Sequence, residues 1–136
     1  MNTTEFQTFC RKEFAFLTEL HSFKEARPLP EESPNQIVFE KQGWKIVIAD
    51  ISHGTSATIH IYSPHGEVGL FSHLIEPGFK QLERPNFEVG LFGEISFQAR
   101  CLQTFGAAFL NGDWRAFTIL QQRQKDWMIR SGMLKA

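Results

Sequence analysis

The chain has one tyrosine, two cysteines and no basic run longer than Arg11-Lys12, and each shortage closes off a class of function. Affinity for nucleic acid comes largely from lysine and arginine massed against phosphate. Here fourteen basic residues are scattered among fifteen acidic ones, with net charge -1 and a pI near 6.5. That balance argues against a nucleic-acid partner. No window approaches the ~18 apolar residues needed to cross a bilayer, so no membrane is expected either. The first residues lack a basic stretch followed by an apolar run, so neither export nor mitochondrial targeting is expected, and the expected location is the cytoplasm. Cys10 and Cys101 both fall on the apolar face of a predicted helix. In a reducing compartment they should be buried thiols.

Catalytic signatures are missing as well. There is no His-Glu-x-x-His or Cys-x-x-Cys pair, the spacings that let one rigid element present two zinc ligands. No Gly-x-Ser-x-Gly elbow occurs, and Gly90-Leu91-Phe92-Gly93 has no following Lys-Ser/Thr to make a phosphate loop. No metal or cofactor is expected.

What the chain does have is phenylalanine, fourteen of 136 residues. Phe carries a large apolar area and no hydrogen-bonding handle, so most of these rings should be interior. At this length one domain spanning 1–136 is expected, with no linker or repeat.

Periodicity divides the chain. Phe6, Phe9, Cys10, Leu17 and Leu20 follow helical spacing, widened by Phe14 and Phe16, and predict a helix over about 3–21. Prolines 28, 30 and 34 make the next segment a loop. Four strand-like runs come after it, at 37–41, 44–51, 57–62 and 67–74, joined by short glycine-containing turns, the pattern of an antiparallel meander. Residues 79–94 read as loop with room for a fifth strand at 87–91. Phe97, Cys101, Leu102, Phe105, Ala108 and Phe109 predict a second helix from about 95, stopped at Asn111-Gly112. Asp113 then caps a third, which ends at Ser131-Gly132. The expected fold is α+β: an N-terminal helix, a four-stranded antiparallel meander, and two C-terminal helices packed on one sheet face.

Side chains alternate across a strand, which assigns the faces. Ile37, Phe39, Ile46, Ile48, Ile59, Ile61, Val68, Leu70 and Leu74 make the face that helices should cover. The opposite face carries Val38, Glu40, Lys45, Val47, Thr58, His60, Tyr62, Phe71 and His73. Antiparallel sheets commonly keep one side wet, and aromatic residues with a charged rim have the composition of protein interfaces. Glu40, Lys45, Val47, His60, Tyr62, Phe71 and His73 are therefore the candidate partner-binding residues. A competing expectation is that residues 79–94 fold over this face. Histidines offer a second class of function, a small hydrolase or metal enzyme using His60 and His73 with Asp50. His53 and His65, in glycine-containing turns, read as solvent-facing loop residues, with a pair of loop histidines, one oriented by Asp50 as general base, as the functional alternative.

Three stretches carry a resemblance: Phe14-x-Phe16-Leu17 with Phe23, Asn35-x-Ile37-Val38-Phe39-Glu40, and Phe109-Leu110-Asn111-Gly112-Asp113-Trp114. With the helix, loop, meander, helix order, the chain resembles small uncharacterised bacterial α+β proteins, among them immunity proteins of polymorphic toxin systems. The resemblance implies a non-enzymatic partner-binding role, with a cognate toxin domain as the partner. It transfers no site residue, because such surfaces differ from one toxin to the next. A homodimer through the same sheet face is the further alternative.

Overall fold

The computed structural model describes residues 3–27, 35–50, 57–64, 66–69, 90–130 and 132. Helices α1 (Thr3–Glu13) and α2 (Ala15–Leu20) lead into strands β1 (Lys24–Ala26), β2 (Gln36–Lys41), β3 (Trp44–Asp50), β4 (Ala57–Ser63) and β5 (Gly66–Gly69). Helices α3 (Gly90–Phe105), α4 (Ala107–Leu110) and α5 (Trp114–Arg130) complete the described chain. The described sheet runs β1-β2-β3-β4-β5, every neighbour antiparallel. This is the expected α+β meander, with one additional edge strand.

That strand, β1, is three residues long, too short for alternation to reveal it. It is held partly from outside the sheet. Arg11 on α1 donates two hydrogen bonds to the Glu25 carboxylate, at 2.7 and 2.9 Å. Bonding to the guanidinium raises the Arg11 pKa and holds the Glu25 carboxyl below its ordinary range. A carboxyl lowered in this way stabilises the fold above its unfolded pKa and loses that contribution as pH falls through the folded value. The loss is therefore expected on the acid side of about pH 4.3. Both side chains are more than a third exposed, at 47% and 39%. Solvent screening keeps the pair below about 1 kcal/mol. Glu25→Gln should lower the urea midpoint slightly at pH 7 in low salt, and the difference from wild type should shrink as pH falls through the lowered pKa of the folded carboxyl.

Leu70 and Leu74 of the aliphatic face lie outside the described residues. Where it is described that face is dry as expected: Ile37, Ile46, Ile48, Ile59 and Ile61 are 0–2% exposed. They join Phe6, Phe14 and Leu17 from the N-terminal helices, and Phe97, Leu102, Phe109 and Phe117 from the C-terminal ones, in one core. Trp44 on β3 meets Phe117 on α5 edge to face, with ring centroids 5.1 Å apart at 80°. Asp113 caps α5, accepting from the backbone of Arg115 at 2.9 Å and Ala116 at 3.4 Å. Such caps are worth about 1 kcal/mol.

Three helical expectations need correction. The first helix is not continuous, because Phe14 leaves helical geometry at φ -103° and ψ 18°. Phe14, Phe16 and Leu17 are all buried, and a straight helix cannot aim three such neighbours at one sheet. The break turns α2 so that all three side chains reach the core. Next, α3 begins at Gly90, so residues 90–94 are neither loop nor strand. Phe92, Ile95, Ala99 and Leu102 hold helical spacing, and Phe92 stacks on Phe9 of α1 at 4.3 Å, which offsets the weak propensity of two glycines. Finally, the helix is interrupted at Gly106 and resumes as α4.

Candidate functional site

Strand register sets out the second sheet face in rows. Lys24 pairs with Glu40, Glu40 with Lys45, Lys45 with Tyr62, and Tyr62 with Glu67. One row therefore crosses all five strands as Lys-Glu-Lys-Tyr-Glu. The adjacent row reads Ala26, Val38, Val47, His60 and Gly69, and beyond it lie Gln36, Ala49 and Thr58. Neighbouring strands lie about 4.8 Å apart, so the charged row is roughly 19 Å long.

The rows differ in exposure. Glu40 is exposed, and Lys45, His60 and Tyr62 are half-buried. Val47, however, is only 2% exposed and Val38 only 1%. The expectation that Val47 lies on an open surface is corrected: the face is closed at Gln36, Val38, Val47 and Ala49, and more open along the charged row at Lys24, Glu40, Lys45 and Tyr62. Phe71 and His73 lie outside the described residues, as do His53, His65 and the segment 79–89. The His60 and Tyr62 rings lie 6.1 Å apart at 27°, so the two aromatics stand side by side along β4.

Alternation also separates Asp50 from His60. Asp50 shares the face of Ile46 and Ile48, whereas His60 pairs with Val47 on the other. Asp50 is buried beside Asn35, whose side-chain amide donates to it at 3.4 Å. The sheet stands between Asp50 and His60, so these two members of the expected enzyme set are not brought together. Among the described residues no three His, Cys, Asp or Glu side chains gather closely enough to hold a metal ion. Cys10 and Cys101 are both buried thiols. Burial chiefly, with a smaller push from Glu13 against a pull from Arg11, drives the Cys10 pKa up to about 12. It stays a protonated, unreactive thiol at neutral pH.

The hairpin end of the charged row opens into a cleft of about 500 Å³, walled by Ser22, Lys24, Glu40, Lys41, Trp44 and Lys45 with the turn at Gln42 and Gly43. Gln42 and Gly43 have φ of 47° and 87°, the left-handed pair that lets a two-residue turn follow the sheet twist. Lys41 belongs to the scaffold. Its Nζ donates to the Leu110 carbonyl at the end of α4 at 3.0 Å and lies 5.5 Å above the Phe23 ring. Two of the sequence-derived candidates, Glu40 and Lys45, thus share this cleft. Lys24 and Ser22 escaped sequence reasoning because nothing before the proline-rich loop signals that β1 doubles back beside β2.

No protein-family model, no curated protein and no solved structure matches the chain. Its class rests on the fold: an α+β domain with helices covering one face of an antiparallel meander. Among the described residues, no helix is long and apolar enough to cross a membrane.

Proposed function

We propose that the chain is a non-enzymatic protein-binding module of the immunity type, which seats a bacterial toxin domain on the second sheet face and neutralises it in the cytoplasm. The observation that carries this reading is the Lys24-Glu40-Lys45-Tyr62-Glu67 row, a strip of alternating charge with the chain's one tyrosine inside it. Tyrosine is favoured at binding hot spots because its ring adds apolar area at low entropic cost while its hydroxyl bonds at the rim. Charges flanking it set register and partner choice more than raw affinity. The order of elements, which resembles that of immunity proteins, points the same way.

Co-expression with the product of the neighbouring gene tests it. The two should co-purify, the chain should protect cells from that product, and Tyr62→Ala should weaken the complex about thirtyfold, the effect of losing a ~2 kcal/mol hot spot. Failure of both capture and protection would remove the toxin reading. A homodimer by light scattering that Tyr62→Ala dissolves would reassign the face to self-association.

A further inference from the structure

We infer that the cleft at the hairpin end of the sheet receives a carboxylate-bearing segment of the partner, an extended stretch with two aspartate or glutamate side chains. This deepens the protein-binding reading and rests on it for the nature of the partner. The cleft wall carries three lysines against one glutamate, an excess of two positive charges. Lys41 is committed to the Leu110 carbonyl and the Phe23 ring. Lys24 and Lys45 remain. They flank Glu40 in register, yet among the described residues neither closes an ion pair with it; the ion pair found on β1, Arg11–Glu25, lies outside the cleft.

The spacing favours two anionic groups over one. Lys24 and Lys45 stand two strand spacings apart, roughly 9.6 Å, with the Glu40 carboxylate between them. A single small anion placed centrally would sit against that like charge. Two carboxylates on alternate residues of an extended chain, about 6.8 Å apart on one side, straddle it and meet one lysine each. Lysine heads are point charges on flexible stems and lack the planar fork with which arginine clasps a phosphate. An open cleft beside a sheet edge also suits a chain better than an enclosed ion.

Amide NMR on the full chain, titrated with hexaglutamate peptide, reads this without any partner. The amides of Lys24, Glu40, Gln42, Gly43 and Lys45 should shift saturably, with binding weakening as salt rises from about 20 to about 200 mM. Hexalysine should leave them in place. Lys24→Glu with Lys45→Glu should lower the affinity about tenfold or more, because attraction becomes repulsion at both points. Lys24→Gln with Lys45→Gln, which removes charge without reversing it, should lower it less and guards against a folding defect. Silence toward hexaglutamate overturns the inference, as does an unchanged affinity in both double variants. Inorganic phosphate saturating the same amides while the peptide does nothing also overturns it, in favour of a small-anion site. The two readings fail separately. A toxin bound equally well by Lys24→Glu/Lys45→Glu keeps the module and discards the cleft. Hexaglutamate binding with no toxin recovered does the reverse.

Discussion

Phe117→Ala should lower the unfolding free energy by about 3–5 kcal/mol, measured as a shift of the urea midpoint at constant slope. Phe117 is fully buried, and its ring docks α5 on β3, edge to face on Trp44. Truncation removes the transfer term for most of a benzyl group, forfeits the aromatic contact, and leaves a void that Trp44 and Leu120 can only partly fill. Against a total stability of order 5–15 kcal/mol for a domain, that loss brings the protein near its threshold. Ile119 lies two residues on and is 56% exposed. Ile119→Ala should change stability by no more than about 0.5 kcal/mol. Similar costs at both positions would mean that α5 does not dock through the Phe117 face.

At Gly106 two effects oppose each other, and magnitude decides the sign. Helix propensity favours alanine over glycine by about 1 kcal/mol, so Gly106→Ala between α3 and α4 looks stabilising on paper. Space says otherwise. A Cβ there would meet the Leu102 carbonyl oxygen at 2.6 Å, with Leu102 Cδ1 and Phe109 Cζ each at 2.9 Å. The first contact is backbone, which cannot swing aside, and the other two are core side chains already buried. Overpacking of this kind costs about 1–3 kcal/mol, enough to outweigh propensity. Gly106→Ala should therefore destabilise by about 1–2 kcal/mol in urea, with α4 loosened from Lys41, whose ammonium reaches the Leu110 carbonyl. A stabilised variant would show that the two helices can merge without cost.

The candidate site was legible in part for a definite reason. Alternation placed Glu40, Lys45, His60 and Tyr62 on one face, and pairing through short turns put them in adjacent rows. Burial on that face was not legible. Val38 and Val47 differ from Tyr62 neither in face nor in strand type, and only the surroundings of each row close one and leave the other open. The expected grouping of His60 with Asp50 failed by the same period-2 rule that assigned the sheet, since ten residues and a turn separate two side chains pointing to opposite faces.

Local rules sufficed wherever a segment's own pattern carried the information: the β-branched alternation of the meander, the Asn111-Gly112 stop, the Asp113 cap and the interior phenylalanines. Packing contacts decided the remainder. Phe9 against Phe92 extends α3 back to Gly90, the bond from Arg11 to Glu25 fastens β1 to the sheet, and the close approach at Gly106 divides α3 from α4. In the first two cases the energy lies between residues far apart in the chain, and a short window of sequence holds only one side of the contact. At Gly106 the partners, Leu102 and Phe109, are near in sequence, and it is the packing of their side chains that a pattern of residue types does not show.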